Sequence, residues 1–310
     1  FGVFLIAYLS ARMNYGKLFG ACAATAATGY FGYLLPHTVF LENKDFININ
    51  AHIFCNSLGK ELHVPENIQD MVKNVMMDMQ LPEDVRNRIK VFDVFGFDLY
   101  HSGLISTKYG ALLGIPVNFT FPNVDAIPKE DIKLLDLPID WTRKDSQEFL
   151  KGLVISEKAQ KAAIANTILR IKINEPHYHA FLAGTWMAST LATYQMLKGK
   201  VQSKKQFGVL LCSGALVLWL YMSDYLVRLM EESCDKKMVE LGSEYVSGFK
   251  EYLDTITNRN VAYRSLLGEY GTTVFRENGD QKFWLMRSKV LPLSARRDFF
   301  TSKVSEYAMS

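Results

Sequence analysis

Two long runs without a single charge stand close together in the second half of the chain, at residues 176–197 and 206–223. Each approaches the ~20 residues that a helix needs to cross the hydrocarbon core of a bilayer. The short stretch between them carries Lys198, Lys200, Lys204 and Lys205. The pattern predicts a transmembrane helical hairpin. The alternative is a pair of buried helices in a large soluble core, but such helices seldom run this long without a charge. A third uncharged run covers residues 18–35 and is rich in small side chains. In it Gly20, Ala24, Thr28 and Gly32 recur every four positions and share one helix face, as close helix contact in lipid requires. Pro36 ends that run. Spans are therefore expected at 18–35, 177–197 and 206–227, with a buried or tilted helix as the alternative for the first. Residues 1–9 are apolar but too short to cross, and read as an interfacial segment or the stub of a leader.

Between the first run and the hairpin the pattern changes to that of a water-soluble domain. Ile68, Met71, Val72, Val75, Met76 and Met79 follow helical spacing behind Pro65. The methionines read as core filler, not as a metal-binding box. Leu81-Pro82-Glu83 opens a short helix or turn. Residues 91–99 and 115–121 have the β-branched and aromatic content of strands. Gly114-Ile115-Pro116 suggests that the second strand starts sharply or lies at an edge. Pro122 and Pro128 punctuate a loop. A helix over 156–173 has Ser156 as its N-cap and Glu157 at its positive end. Beyond the hairpin, Leu226, Met230, Cys234, Met238, Leu241, Tyr245, Phe249 and Leu253 fall on one face, which predicts one long helix. Asn278-Gly279, between 272–275 and 283–286, is a strong hairpin signal.

The resulting organisation is an α+β membrane protein. Its parts are an N-terminal segment and first span (1–36), a soluble domain in two pieces (37–175 and 229–310), and a transmembrane hairpin (176–228). The soluble part is expected to be mostly helical with a small sheet. Lysines and arginines collect on the untranslocated side of a membrane. The 198–205 loop, Arg12 and Lys17 therefore share one side, and three crossings bring the two soluble pieces together on the other.

Composition adds little. There are 35 basic and 32 acidic residues, and the net charge of +3 points to no nucleic-acid partner. The 4 cysteines (Cys22, Cys55, Cys212, Cys234) form no CxxC and no disulfide framework. The start at Phe1, with no methionine, suggests a processed or incomplete chain. The basic end, with Arg287, Lys289, Arg296 and Arg297, reads as a solvated surface or as a headgroup- or partner-binding patch.

The chain lacks GxSxG, the P-loop, the dinucleotide fingerprint and HExxH. The 6 histidines are His37, His52, His63, His101, His177 and His179. The last two, at the mouth of the second span, do not share a helix face and read as interfacial polar residues. The layout nevertheless resembles integral-membrane zinc peptidases of the prenyl-protease and stress-peptidase type. Those place HExxH on a helix before a hydrophobic hairpin and Glu-x-x-x-Asp on the helix after it. Here Glu231 and Asp235 match the second motif. Asn166, Thr167 and Arg170 stand where His, Glu and His would be. Zinc hydrolysis would then have neither its imidazoles nor its general base. The resemblance implies an inactive peptidase fold used for binding, with no catalytic residue, cofactor or metal.

Longer strings are similar to the transmembrane protein 177 family of the mitochondrial inner membrane. They are Gly114-Ile115-Pro116, Asp140-Trp141, Ser156 with Ala159-Gln160-Lys161, and Leu182-Ala183-Gly184-Thr185-Trp186. The more specific are Asn260 with Arg264-Ser265-Leu266-Leu267-Gly268 and Gly271, then Lys289 with Leu291-Pro292 and Arg296-Arg297-Asp298. The resemblance implies a non-enzymatic role in biogenesis of cytochrome c oxidase subunit II, together with the membrane chaperone that holds that subunit. It also implies a multi-pass inner-membrane location, with the lysine loop in the matrix and the soluble domain in the intermembrane space. Gly184, Thr185 and Trp186, with Ser189 and the small-residue face, are candidates for lateral contact in the membrane. Arg264, Arg296, Arg297 and Asp298 are candidates for holding the C-terminal hairpin on the long helix. The rival readings are a metallopeptidase-like protein with residual activity and a module that binds phospholipid.

Overall fold

The computed structural model describes residues 15–42, 64–94, 96–132, 139–284 and 287–309. The expected interfacial segment at 1–9, Arg12, His52, Cys55, His63 and the end of the expected 283–286 strand lie outside the described residues. In chain order the elements are α1 (Tyr15–Leu34), α2 (Glu66–Asp78), α3 (Glu83–Arg86), β1 (Ile89–Val94), β2 (Tyr100–Leu104), β3 (Gly110–Pro116), α4 (Lys144–Lys151), α5 (Glu157–Ile173), α6 (Glu175–Leu197), α7 (Lys204–Glu240), α8 (Ser243–Leu266), α9 (Glu269–Val274) and α10 (Leu293–Met309). The chain divides into two compact units. One takes in Phe1–Pro36 and Pro176–Leu226, the other His37–Glu175 and Val227–Ser310.

The smaller unit is built of α1, α6 and the first part of α7. Its surface is strongly apolar: Phe19 is 77% exposed and Leu210 73%. The stretches Gly16–Leu41 and Lys204–Glu240 have the length and apolarity to cross a membrane, and in their most apolar windows only 11% and 6% is buried. A core helix would be mostly buried, so the soluble-core alternative does not describe these two helices. The third expected span, 177–197, forms α6, which is long enough but more polar than the other two.

Within this unit the contact face of α1 differs from the expected one. Gly20, Ala24, Thr28 and Gly32 point outward, and a methyl group on Gly20 or Gly32 would meet nothing within 4 Å. Gly29 is the buried small residue. It lies against Gly184 and Met187, while Gly184 lies against Ala26 and Tyr30. The i, i+4 repeat of small residues marked a face correctly as a face, but the neighbour took the adjacent one. Tyr30 shares a hydrogen bond with His177 (3.0 Å) and Ser223 one with His179 (3.1 Å).

The larger unit is centred on α5. Ser156 caps it by accepting the Ala159 N–H, and Asn174 ends it in the left-handed conformation, φ 57°. Its alanines and all its isoleucines but the last, Ile173, are buried, as befits a helix enclosed by others. α8 packs along it, with α2, α4 and α10 against the pair. Ile164, Ile168, Phe249, Leu253 and Phe300 form the centre of the core. α2 follows its pattern, burying Ile68, Val72, Val75 and Met76.

Four expectations give way. The sheet runs β1-β3-β2, with β1 parallel and β2 antiparallel to β3. The strand expected at 91–99 is β1, and it ends at Val94. The strand containing Gly114-Ile115-Pro116 is therefore central, not an edge, and ends at Pro116, with 117–120 a 3-10 turn. A Cβ on Gly114 would come within 2.3 Å of Val94 and 2.9 Å of Tyr100, so close flanking strands account for this glycine. The single long helix breaks at Gly242, φ 103°, into α7 and α8. The apolar repeat continued across the break because Cys234, Met238, Tyr245 and Phe249 line the same core. The expected hairpin shrinks to one bridge, Phe275 with Gln281, because 269–274 is helical. Of the basic end, Arg296 and Arg297 lie on helix α10, whose Phe300 is fully buried, and Arg287 and Lys289 precede it.

Candidate functional site

The positions compared with a zinc peptidase come from α5 and α7, and the fold brings them together. Asn166 Nδ2 lies 3.5 Å from Asp235 Oδ1, and Arg170 lies 3.4 Å from Glu231 Oε1. Both carboxylates are buried, Glu231 at 3% exposure and Asp235 at 4%. A buried carboxylate must be paired or hydrogen-bonded. Arg296, from α10, donates to both oxygens of Asp235, with Nε at 2.8 Å. The Leu291 N–H donates to Glu231 Oε2 at 2.6 Å. Thr167 turns its hydroxyl to the Ala163 carbonyl of its own helix.

The network extends to the sheet. Arg170 also reaches Glu175 at 3.3 Å, and Glu175 lies 3.4 Å from His101 Nε2 on β2. Burial, and then the Arg170 charge, hold the His101 imidazole below its ordinary pKa, although Glu175 acts the other way. Burial opposes the charge of Arg296, but Asp235 more than offsets it and raises its pKa. Arg296 also stacks over Phe249, 5.1 Å from the ring centre. Chemically this is an alternation of guanidinium and carboxylate whose acids are already engaged. Among the described residues no group of three or more His, Cys, Asp or Glu is placed to hold a metal ion. The network borders a cleft of about 900 Å³, also lined by Tyr252, Ile256, Asn260 and Leu293.

His101, Glu175 and the Leu291 amide were not connected with this network in the sequence. His101 and Leu291 lie far from Arg170 and Glu231 along the chain, whereas Glu175 stands five residues after Arg170 and was passed over. Arg296 was singled out for holding the C-terminal hairpin on the long helix; it does grip Asp235 on α7, but from helix α10 and not from a hairpin.

The chain matches transmembrane protein 177 of Homo sapiens at 25% identity over 305 residues, covering 93% of this chain and 91% of the relative. It matches the Danio rerio protein of that name at 24% over 252 residues, covering 75% and 81%. The Xenopus laevis protein matches at 25% over 262 residues, covering 78% and 81%. Over most of its length the chain is therefore similar to proteins named transmembrane protein 177 from several vertebrates. With its two apolar helices, it is a membrane protein. No family model matches the chain, and no solved structure does.

The strings that resemble the family sit at fixed points of the fold. Trp186 donates its indole N–H to the Ala215 carbonyl at 2.8 Å, and Gly184 makes the α1 contact. Thr185 and Ser189 are exposed, with their hydroxyls bonded within α6. Asn260 donates to the Gly279 carbonyl at 3.1 Å and so docks the Asn278-Gly279 turn on α8. Arg264 reaches Glu277 of that turn at 3.9 Å, at the edge of ion-pair range. Arg297 is half-buried and Asp298 exposed on α10.

Proposed function

We propose that the chain is a non-enzymatic assembly factor of the mitochondrial inner membrane, supporting newly made cytochrome c oxidase subunit II together with that subunit's membrane chaperone. The observation that carries the non-enzymatic reading is the pairing of Arg170 with Glu231 and of Arg296 with Asp235. Guanidinium groups occupy the acids that zinc chemistry would need, and the imidazole positions hold Asn166 and Arg170. Client, chaperone and compartment follow from the family resemblance. Capture of the protein with labelled newborn mitochondrial translation products tests this role. Subunit II is expected to be enriched over every other product, and equal recovery of all products defeats it.

Three crossings fit this role better than two. Residues 37–175 and 227–310 contribute to one compact unit, in which α8 packs on α5. A crossing by α7 alone would put those pieces on opposite sides of the bilayer. A crossing by α6 as well keeps them on one side, and its 23 residues span about 35 Å as a helix. The lysine loop then faces the matrix and the larger unit the intermembrane space. The outward small-residue face of α1 is left for lateral contact with client or chaperone. The rival reading, a peptidase with residual activity, requires a stoichiometric metal held by Glu231 in the purified protein.

A further inference from the structure

We propose that the cleft of the larger unit binds the phosphate headgroup of an anionic phospholipid, at a rim formed by Arg276 and Lys282. This is independent of the assembly role. Six cationic side chains line the cleft against three carboxylates. Glu231 is paired with Arg170 and Asp98 with Arg259, while Asp280 is hydrogen-bonded by the neutral Ser294 and Asn278 and keeps its charge. The lining cations still outnumber the lining carboxylates, and Arg276 and Lys282 are the ones at the rim. Arg276 and Lys282 stand on the two arms of the turn closed by the Arg276 N–H to Asp280 and the Lys282 N–H to Val274, and both are exposed. Among the described residues Lys282 Nζ donates to a neutral carbonyl, that of Thr272, which does not cancel its charge. Deeper in, Arg170 Nε is buried without a hydrogen-bond partner among the described residues.

Two further observations select a lipid over a small anion or an acidic peptide. The wall carries Phe249, Ile256, Val290 and Leu293, and about 900 Å³ is far more than a bare phosphate needs. Beside the rim, Trp284 is 83% exposed, and its neighbour Phe283 has Lys289 5.8 Å from its ring centre. A bare indole among lysines and arginines is the composition of a segment at headgroup level. A peptide carboxylate would use the cations but leave the indole unexplained.

The test uses the full chain in neutral detergent and native mass spectrometry, with phosphatidylglycerol or phosphatidylcholine added. The wild type should retain one phosphatidylglycerol roughly thirtyfold more strongly than the Arg276→Ala/Lys282→Ala variant, a loss in line with removing two cations from an anionic headgroup. Phosphatidylcholine should show no such difference, because lipid held by the helices is common to both proteins. Trp284→Ser, which removes no charge, should weaken phosphatidylglycerol while leaving binding of glycerol phosphate unchanged. Equal retention by wild type and double variant overturns the proposal. Complete displacement by inorganic phosphate assigns the rim to a soluble anion and overturns it. Preferential displacement by a poly-glutamate peptide assigns it to acidic protein and also overturns it.

Discussion

Arg296 Nε and NH2 grip the two oxygens of Asp235 at 2.8 and 2.5 Å, joining the last helix of the chain to the helix that carries the uncharged run. Side-chain exposures of 12% and 5% leave little water to screen the pair. Arg296→Met strands a buried carboxylate and is expected to cost about 3–5 kcal/mol. Arg296→Met combined with Asp235→Leu removes both charges and should recover most of that loss. Thermal unfolding of the detergent-solubilised chain, followed by circular dichroism, compares the three. A single variant as stable as the wild type would show that the pair is not holding α10.

Gly29 and Gly184 bring α1 and α6 into close contact. A Cβ on Gly184 would fall 2.6 Å from the Ala26 carbonyl oxygen, which is backbone and cannot swing aside. Gly184→Ala should therefore destabilise by about 1–3 kcal/mol through overpacking. Gly20→Ala, on the outward face, should be neutral within about 0.5 kcal/mol. The same melting experiment ranks the two, and the reverse order would restore the outward face as the contact.

The pH dependence of the larger unit is expected to contain a contribution from Tyr245, Asp78 and Lys161. The Tyr245 hydroxyl donates to Asp78 at 2.7 Å, and Lys161 lies 3.0 Å from the same carboxylate. The Tyr245 bond, then Lys161, hold Asp78 below its ordinary pKa, while burial, then Asp78, push Tyr245 up. Asp78 thus stabilises the fold above its unfolded pKa of about 3.9, and the contribution fades as pH falls toward its folded value. The Tyr245 contribution is full below its unfolded pKa of about 10 and fades only in stronger alkali. Asp78 is 44% exposed, so solvent weakens the effect. Asp78→Asn should flatten the acid limb of stability against pH, and Tyr245→Phe the alkaline limb. Unchanged limbs in both variants would remove this trio from the titration.

Topology is open to direct labelling. In a background with all cysteines replaced, Val201→Cys and Asp125→Cys place one thiol in the lysine loop and one in the larger unit. With three crossings, an impermeant maleimide added to mitoplasts should label the second and not the first. Labelling of both from the same side would leave α6 inside one compartment.

Local periodicity reached some elements and not others. α2 and α5 were legible because their caps and apolar spacing are local: Pro65 before one, Ser156 accepting the Ala159 N–H before the other. β3 was misplaced because a strand buried on both faces reads as one apolar run, and only its neighbours fix where it stops. The break at Gly242 was hidden by a core that both α7 and α8 line. Asn278-Gly279 did turn, at φ 84°, but its arms were claimed by α9 and by docking on Asn260. At the site, the i, i+4 pair Glu231 and Asp235 was visible, while Arg296 became its partner only through a contact spanning 61 residues.

Phe300 is fully enclosed, its ring edge-on to Phe249 at 4.9 Å. The helix carrying it starts on Asp280, which accepts the Ser294 N–H and hydroxyl. This helix therefore supplies interior, not trimming. A variant from which it is deleted should be cleared by quality-control proteases, and a fusion partner should never be put in its place.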